Sequence, residues 1–436
     1  MRIGYVSPLP PDASGIADFA EELLLVLKKH VELEIFSRIP VKSEKLAEGF
    51  SLHTVEDLEK KELRESCDLL VYQAGNNVRF HGTVLEKFKK YPGVLEIHDF
   101  AMHHYLAEST YVKGDYEAYV KTMAYCHGKR GEITARKFLA GEGRAPWEND
   151  ALRYHVNKYL VDTATAVITH SDMAKQMIQA VSPAKPIVNI PLHTADILED
   201  PARYQRECRK KLGIREDLLV LGSFGYATRA KRIPEIVEAL GMYASQGGVD
   251  FHYYIVGKVE EMDVNIERLA KQLGIGDKVT VTGFTDLETF KEYMGACDIC
   301  FNMRYPTQGE SSASLHRILG MGKPVIVSRI GSFEEYPDDI VLKISHDQNE
   351  IHEILEAVRG LTLHKEELAL RSEKALAFAK ENCDLEKNAR RYADFFEQLK
   401  KGTYKKAPID ALLDEMFESG RTSKKDIEAI VEQLSF

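Results

Sequence analysis

The fold prediction for this chain starts from the stretch FNMRYPTQGESSASLHRILGMGKPVIVSRIGSFEEYPD, at Phe301–Asp338. Its beginning belongs to a largely apolar run, Asp298–Met303, which is too short for an amphipathic helix and is typical of a buried parallel strand. Apolar residues then recur at helical spacing across Ser311–Met321, and a second short strand is predicted at Val325–Ser328. A strand, a loop, a helix and another strand in this order indicate an α/β domain with a parallel sheet.

The loop before this helix is a candidate phosphate site. Gly309 permits a close approach of the backbone to a ligand, and Ser311, Ser312 and Ser314 supply hydroxyl groups. The first turn of a helix presents unpaired amides and the positive end of the dipole, which favour an anion. We therefore predict that the amides of Ser311, Ser312 and Ala313 bind phosphate. From the residues alone, a well-capped turn without a ligand is the alternative.

Three motifs in and after this stretch resemble the donor-binding region of retaining glycosyltransferases of family 4. They are PTQGE at residues 306–310, GKP at 322–324 and GSFEE at 331–335. The resemblance extends over roughly residues 1–400 and implies the α/β GT-B fold, in which two doubly wound Rossmann-like domains face each other across a cleft.

The chain departs from that family at the two glutamates that flank the loop and the helix. Gly309 occupies the first position, and Glu310, one place on, is expected to replace the glutamate that contacts the donor sugar in the family. Arg317 occupies the second position. The resemblance therefore implies a catalytic role for Glu310 at the donor sugar, whereas the position of the residue that binds ribose holds no carboxylate.

Length and composition bound the remaining interpretation. A chain of 436 residues is too long for one ordinary domain, which favours two. The content of 44% hydrophobic and 29% charged residues is typical of a soluble globular protein, and the lack of a run of about 18 apolar residues argues against a membrane span. The net charge of −10 argues against a nucleic-acid partner. Cys297 and Cys300 have no second ligand pair and are assigned to core packing.

Residues 1–190 are predicted to form an N-terminal Rossmann-like domain on the acceptor side. Its first strand, Arg2–Ser7, is followed by a proline-rich loop, and Gly15 lies at the carboxyl end of that strand, where open α/β sheets bind ligands. The resemblance implies that Gly15 lets the backbone approach the donor phosphates or the acceptor. From the residues alone, a simple helix N-cap at Ser14 is an equal alternative.

Another strand of this domain, Val94–Ile97, is followed by His98 and Asp99. A histidine after this strand lies close to the reacting sugar and acceptor in the resembled family, so the resemblance implies a catalytic role for His98. His81 is the weaker candidate. The alternative is a structural pair, in which the imidazole donates a hydrogen bond to a carboxylate or to a backbone carbonyl.

Residues 101–160 predict a helical insertion in the first domain that is rich in aromatic side chains. It is longer than a simple connection requires and lies at the edge of the sheet where loops carry specificity, so we interpret it as a cap that recognises the acceptor. The alternative is that the aromatic residues pack a helical layer. The histidines here lack the spacing of metal ligands, and no metal is assigned.

The second half of the chain repeats the α/β pattern. Residues 191–213 are polar and are interpreted as the interdomain linker, and residues 214–382 as the C-terminal domain that binds the nucleotide sugar. An apolar stripe along residues 383–400 predicts a crossover helix that packs back on the first domain. Residues 401–436 predict a helical tail of unknown role, which is a candidate interface, while the oligomeric state stays unknown.

Cations cluster after the first strand of the second domain. The segment GYATRAKR at residues 225–232 places three of them between a strand end and a helix start, and Arg304 ends another strand. Basic donors stabilise phosphate oxygens in a partly dry site, so we predict that Arg229, Lys231 and Arg304 bind the diphosphate. Lys231 matches a lysine of the resembled family, whereas Tyr226 stands at that family's arginine position. Solvated surface charge is the alternative.

Together these features predict a metal-independent hexosyltransferase, and the resemblance implies that it is a retaining enzyme. It would move a sugar from a UDP- or GDP-sugar, its co-substrate, to a hydroxyl group of a glycan, a lipid-linked glycan or a protein, in glycan or surface polysaccharide synthesis. No tightly bound cofactor is expected. The N-terminus enters a strand without a signal-peptide pattern, which predicts a cytoplasmic protein and leaves a peripheral association with the inner face of the membrane open.

Two alternatives remain. A nucleotide-sugar epimerase of the same fold would need no acceptor site. A non-catalytic partner subunit is indicated by Arg317 and Tyr226, which stand where the resembled family has binding residues, whereas Lys231 and Glu310 argue against it.

Overall fold

The computed structural model describes residues 1–149, 151–259 and 264–404. The chain forms two compact units. The first unit consists of three segments, which are Met1–Pro191, Gln308–Ser311 and the chain from Leu385 on. The second unit consists of two segments, which are Leu192–Thr307 and Ser312–Asp384.

The first unit is built on a parallel sheet with apolar side chains on its strands. The strands are β1 (Arg2–Ser7), β2 (Glu32–Ser37), β3 (Ser51–Thr54), β4 (Leu69–Ala74), β5 (Val94–Ile97), β6 (Ala166–Thr169) and β7 (Ile187–Asn189). They form a seven-stranded sheet in the order β3-β2-β1-β4-β5-β6-β7. The order reverses between β1 and β4, and the carboxyl ends of strands beside such a reversal are where open α/β sheets bind ligands.

Helices cover this sheet and form the insertion after β5. They are α1 (Gly15–Leu27), α2 (Glu44–Ala47), α3 (Lys61–Glu65), α4 (Val78–Lys90), α5 (His103–Ser109), α6 (Tyr116–Leu139), α7 (Pro146–Asn149), α8 (Lys158–Thr163) and α9 (Asp172–Val181). The side chains of Ser14, Asn77 and Ser171 cap α1, α4 and α9 by accepting a hydrogen bond from an amide of the first turn.

The second unit repeats this plan with a six-stranded parallel sheet. Its strands are β8 (Leu219–Phe224), β9 (Phe251–Val256), β10 (Val279–Gly283), β11 (Ile299–Asn302), β12 (Val325–Ser328) and β13 (Val341–Ile344). Its helices are α10 (Pro201–Leu212), α11 (Ile233–Ser245), α12 (Ile266–Gln272), α13 (Leu287–Ala296), α14 (Ala313–Gly320), α15 (Glu350–Leu363) and α16 (Lys365–Asn382). The order is β10-β9-β8-β11-β12-β13, so the reversal lies between β8 and β11.

The last described helix, α17 (Leu385–Lys401), belongs to the first unit. Glu386 at its start pairs with Lys29 and His30 after α1, at 2.8 and 3.1 Å. Its buried face includes Tyr392 and Phe396. The apolar stripe noted in the sequence is thus the face of α17 that packs into the first unit.

Three details differ from the sequence-based description. Helix α10 lies inside the stretch that we interpreted as a linker, because Asp200 caps it and Pro201 stands in its first turn, where proline is tolerated. Helix α14 begins at Ala313 rather than Ser311, because Ser312 is its N-cap. The tail predicted at residues 401–436 lies outside the described residues from residue 405 on. Among the described helices, none combines the length and apolar character that a bilayer crossing requires.

Candidate functional site

The carboxyl ends of β8 and β9 approach each other closely in the second unit. Gly225 follows β8 with a φ of 91°, in the left-handed region that favours glycine. A Cβ atom on Gly257, which follows β9, would lie 2.3 Å from the carbonyl oxygen of Gly225. A Cβ atom on Gly225 would lie 2.8 Å from Nζ of Lys231. The turn after β8 is therefore closed around the amine of Lys231.

Lys231 places a buried amine at this turn. Its Nζ donates a hydrogen bond to the carbonyl oxygen of Phe224, the last residue of β8. Within the described residues, no acidic side chain forms an ion pair with it. Burial, and to a lesser degree the positive charge of Arg304, holds the pKa of Lys231 well below its usual range. An anion at this turn would favour the charged amine.

Arg304 lies beside Lys231, after β11. Its backbone amide donates to Oγ of Ser328, the last residue of β12, at 2.9 Å, and its Nη1 donates to the carbonyl oxygen of Met303 at 2.9 Å. These contacts place Arg304 at the carboxyl ends of β11 and β12. The second sheet thus brings two of the predicted cations together at the reversal of its strand order.

The other two cations of this segment have carboxylate partners. Arg229 pairs with Glu235 in the first turn of α11 at 2.7 Å, and its side chain is 44% exposed. Arg232 donates from Nε to Glu350 at 2.9 Å and pairs with Glu235 at 2.9 Å. Arg232 is therefore held in a buried network, whereas Arg229 keeps solvent access at the rim of the turn.

The start of α14 lies beside β11. Oγ of Ser312 accepts from the amide of Leu315 at 3.3 Å, which caps the helix. Nδ2 of Asn302, the last residue of β11, donates to Oγ of Ser314 at 2.9 Å, and Oδ1 of Asn302 has no hydrogen-bond partner in the described part of the chain. Two predicted phosphate-binding residues, Ser312 and Ala313, thus form the N-terminus of a helix at the same sheet edge as Lys231 and Arg304.

The segment Gln308–Ser311 packs within the first unit. The amide of Ala101 donates to the carbonyl oxygen of Gln308 at 2.7 Å, and Oγ of Ser311 donates to the carbonyl oxygen of His170 at 3.1 Å. Gly309 has a φ of 70°, and a Cβ atom there would lie 2.8 Å from Cβ of Phe100. Ser311 is therefore not part of the first turn of α14, which corrects the helix start that we predicted. Its hydroxyl binds the backbone of the first unit.

Glu310 lies in the same segment. Its Oε2 accepts a hydrogen bond from the amide of Gln308 at 2.7 Å. This bond closes a tight local turn that fixes one oxygen of the carboxylate. The role of Glu310 at a donor sugar stays a prediction.

His98 lies in a cluster of rings at the carboxyl ends of β5 and β6. Its ring centre is 4.6 Å from that of His170 and 5.2 Å from that of Phe19 in α1. Its Nε2 lies 2.5 Å from Oε1 of Gln73, which is buried at the end of β4. The other candidate, His81, is buried in α4, where Nδ1 is 3.0 Å from the carbonyl oxygen of Gln73 and burial lowers its pKa to about 4. His81 therefore has a structural partner.

Gly15 is the first residue of α1, and the side chain of Ser14 caps this helix by accepting from the amide of Ile16 at 3.3 Å. A Cβ atom on Gly15 would meet nothing within 4 Å. The simple N-cap is thus present, and the space beside Gly15 leaves the predicted approach to a ligand compatible with this turn.

Arg317 has a structural partner in the second unit. It forms an ion pair with Asp196, which also binds Lys291 at 2.9 Å, and the Arg317 and Asp196 side chains are largely buried. The position that holds a carboxylate in the resembled family thus contributes a cation to a buried network in this chain.

Many aromatic side chains of the insertion form a small core of their own. Tyr119 is fully buried, and its ring is 6.2 Å from that of Trp147. Tyr116 and Tyr125 are more than half exposed. The packing alternative therefore accounts for the buried rings, and the role of the insertion at an acceptor stays a prediction.

Sequence reasoning missed the carboxylate beneath His98. Glu96 lies on β5 with its side chain fully buried, and it accepts hydrogen bonds from Gln73 and from Tyr392, both at 2.5 Å. His170 approaches it to 3.3 Å. A glutamate inside the otherwise apolar strand Val94–Ile97 was the available signal, because a charge in a buried parallel strand requires partners.

We compared the chain with known proteins by sequence and by structure. Residues 205–394, a little under half of the chain, match the family model described as glycosyl transferases group 1. This segment is a glycosyltransferase domain. The enzyme class that we predicted is confirmed by this match, whereas family 4 and its glutamates are not tested by it. A sequence comparison with curated proteins finds no match.

Solved structures match over both units. The Anabaena protein HepE in complex with UDP is 15% identical, with 91% of this chain and 100% of that chain covered and a TM-score of 0.63. Sucrose-phosphate synthase from Thermosynechococcus elongatus is 17% identical, with 92% and 99% covered and a TM-score of 0.64. A glycosyltransferase from Rickettsia africae is 13% identical, with 91% and 98% covered and a TM-score of 0.62. These matches confirm the predicted fold, with two Rossmann-like α/β domains.

Proposed function

We propose that this glycosyltransferase is a retaining enzyme that moves a hexose-type sugar from a UDP- or GDP-sugar to a hydroxyl group of an acceptor. The observation that carries this proposal is the buried amine of Lys231 at the carboxyl end of β8, which lies near Arg304 and forms no ion pair with an acidic side chain of the described residues. Two neighbouring cations repel each other, and a diphosphate would remove this repulsion. The start of α14, with its Ser312 cap, adds a second feature that favours an anion.

The reaction requires stabilisation of the leaving diphosphate. The bond between the anomeric carbon and a phosphate oxygen breaks, and negative charge develops on that oxygen while the sugar becomes oxocarbenium-like. Lys231 and Arg304 would stabilise this charge. The acceptor oxygen forms the new bond on the same face of the sugar, and its proton passes to the leaving phosphate.

The remaining predicted residues have separate roles in this proposal. Glu310 would orient the donor sugar or stabilise its positive charge, and His98 would contact the sugar or the acceptor. Arg229, exposed at the rim of the turn, would bind an outer phosphate oxygen. Gly15 would leave room for the ligand at the start of α1. These contributions replace a metal ion, which the proposal does not require.

A uridine nucleotide is the first candidate donor. HepE of Anabaena has been solved with UDP, and also with UDP-glucose. The acceptor that we propose is a glycan, a lipid-linked glycan or a protein, in glycan or surface polysaccharide synthesis. We propose that the reaction takes place in the cytoplasm, with peripheral association at the inner face of the membrane if the acceptor is lipid-linked.

Thermal unfolding in the presence of nucleotides tests this proposal. Purified protein is melted with UDP, GDP, ADP, dTDP and their sugar conjugates, because a ligand that binds the native state raises the melting temperature. We expect one base to be selected. We expect the shift to be lost in Lys231→Met, which keeps the volume of the side chain and removes its charge.

A matched control is Lys271→Ala, which removes an exposed lysine from α12 and is expected to keep the shift. Absence of a shift with every nucleotide at millimolar concentration, in a protein with a cooperative melt, would refute the donor assignment. The buried pairing of Arg317 with Asp196 would then favour the non-catalytic partner subunit. Turnover of the selected sugar nucleotide without an acceptor product would favour the epimerase instead.

A further inference from the structure

Glu96 is an acidic residue in the core of the first sheet to which the proposed reaction gives no role. Its side chain is fully buried, and both carboxylate oxygens accept hydrogen bonds, Oε1 from the hydroxyl group of Tyr392 and Oε2 from Nε2 of Gln73. Burial of a carboxylate is costly even when it is fully hydrogen-bonded, and an apolar side chain would fill a buried strand at lower cost. The arrangement therefore indicates a task beyond packing.

The contact between Glu96 and Gln73 fixes the orientation of an amide. Nε2 of Gln73 donates to Oε2 of Glu96, so the NH2 group of Gln73 points towards the carboxyl group. The amide oxygen of Gln73 then points in the other direction, where it lies 2.5 Å from Nε2 of His98. An amide oxygen only accepts, so Nε2 of His98 must carry the hydrogen atom.

Gln73 itself has little freedom to move. It is fully buried at the end of β4, and its backbone carbonyl oxygen accepts from Nδ1 of His81 at 3.0 Å. The backbone amide of His98 donates to the carbonyl oxygen of Ala74 at 2.9 Å, which joins the ends of β4 and β5. Only rotation of the Gln73 amide group could turn its NH2 group towards His98 and its oxygen towards Glu96. The hydrogen bond to Glu96 opposes that rotation.

Glu96, His98 and His170 also meet the distance criterion for a metal site, since their ligand atoms lie within 4.8 Å of one another. The hydrogen bonds argue against this assignment. Both oxygens of Glu96 already accept from a protein donor, and Nε2 of His98 faces an acceptor rather than offering a lone pair. A metal would have to displace these contacts.

We propose that Glu96 and Gln73 are positioning residues that hold His98 in the tautomer with hydrogen on Nε2. Nδ1 is then the nitrogen of the neutral ring that accepts a hydrogen bond. The consequence for sugar transfer rests on the proposed function, in which His98 contacts the sugar or the acceptor. The tautomer itself is a property of the protein without substrate.

Nuclear magnetic resonance can observe this tautomer directly. Protein labelled with ¹⁵N at histidine is studied by long-range ¹H–¹⁵N correlation, and His98→Gln identifies the signals of His98. We expect the pattern of an Nε2-protonated neutral ring. In Glu96→Gln the charge is gone and the Gln73 amide can rotate, so we expect a second pattern with hydrogen on Nδ1.

Two further variants separate the contacts from Glu96 through Gln73 to His98, which we call the relay, from a general loosening of the core. Tyr392→Phe removes the other donor to Glu96 and leaves the Gln73 contact, so His98 should keep its tautomer. Glu34→Gln is a matched control on β2, where a carboxylate lies 2.8 Å from Nε2 of His53, and it should leave the His98 signals unchanged. If Glu96→Gln does not fold, Gln73→Met tests the same relay.

Kinetics add a second readout once a donor is known. We expect Glu96→Gln to lower kcat by about 10²-fold with little change in the KM for the donor, because the contact acts in the transition state. An Nδ1-protonated His98 in the unchanged protein would overturn the proposal. Unchanged His98 signals in Glu96→Gln would also overturn it. A third contrary result would be one equivalent of divalent metal bound to the unchanged protein and absent from His170→Gln. A confirmed tautomer in a protein that binds no nucleotide would refute the proposed function and leave the relay standing.

Discussion

In the first unit the buried carboxylate of Glu96 accepts hydrogen bonds on both oxygens. In the second unit, by contrast, the buried amine of Lys231 has one carbonyl contact and no acidic partner among the described residues. Both groups lie near the carboxyl ends of parallel strands. Protein groups supply a hydrogen-bond donor to each oxygen of Glu96, whereas Lys231 uses only part of its hydrogen-bonding capacity. The comparison shows that two buried ionisable groups at similar places in their sheets can differ in how fully the protein supplies their hydrogen-bond partners.

Removal of the satisfied charge should have the largest effect. Glu96→Ala leaves the Tyr392 hydroxyl group and the Gln73 amide without their acceptor, and we expect the free energy of unfolding to fall by about 3–5 kcal/mol. Urea denaturation measures this change. Glu34→Ala, which breaks a partly exposed contact with His53, should cost less than about 1 kcal/mol. Equal losses in both variants would contradict the special status of Glu96.

Acid should lower the free energy of unfolding through His81, which contacts Gln73 in the first unit. His81 has a pKa of about 4 in the folded protein, lowered by burial, against 6.5 for an unperturbed histidine. The unfolded chain therefore binds this proton more readily, so stability is complete above pH 6.5 and falls as the pH drops towards 4. Between pH 7 and 5 we expect His81 to account for about 2 kcal/mol of lost stability.

The comparison of wild type with His81→Asn isolates this contribution, since other buried histidines also titrate. The difference between the two unfolding curves should shrink from pH 7 to pH 5. A constant difference across this range would show that His81 is not held neutral by its surroundings.

The partly satisfied amine of Lys231 should respond to ligand and pH together. A bound diphosphate favours the charged form of Lys231, so its lowered pKa should rise on binding and the complex should take up a proton. Above the pKa of the free protein, affinity for a sugar nucleotide should fall by about 1.4 kcal/mol per pH unit. Calorimetry in two buffers of different ionisation enthalpy measures the proton uptake. Uptake that persists in Lys231→Met would assign it to another group.

The smallest effect is expected at Arg229. Its side chain is 44% exposed and paired with Glu235, so Arg229→Ala should change stability by less than about 1 kcal/mol and weaken nucleotide binding only modestly. Salt should reduce this contribution further. A loss as large as that of Lys231→Met would show that the rim of the turn, rather than the buried amine, carries the diphosphate.

Several elements were predictable because their signals are local. The strand Val94–Ile97, for example, has the bounds that its apolar run indicates. Helix α10 was less accessible, because the polar character of residues 191–213 indicated a linker, although Asp200 and Pro201 together are a favourable helix start. The start of α14 was placed two residues early, since three serines near a helix start offer several caps and only the backbone shows which one is used.

In the candidate sites, too, some features could be predicted from local sequence and others depend on contacts between distant residues. Two α/β series, a cation cluster after β8 and the positions of His98 and Glu310 could be read from the amino-acid sequence, because hydrophobic periodicity and residue spacing act over short distances. The folded chain was needed to show which cations are paired, that Ser311 contacts the backbone of His170, and that Gln73, Glu96 and Tyr392 meet beneath His98. These contacts join residues that are distant in the chain, and partners brought together by parallel strands and a returning helix leave no mark in local spacing.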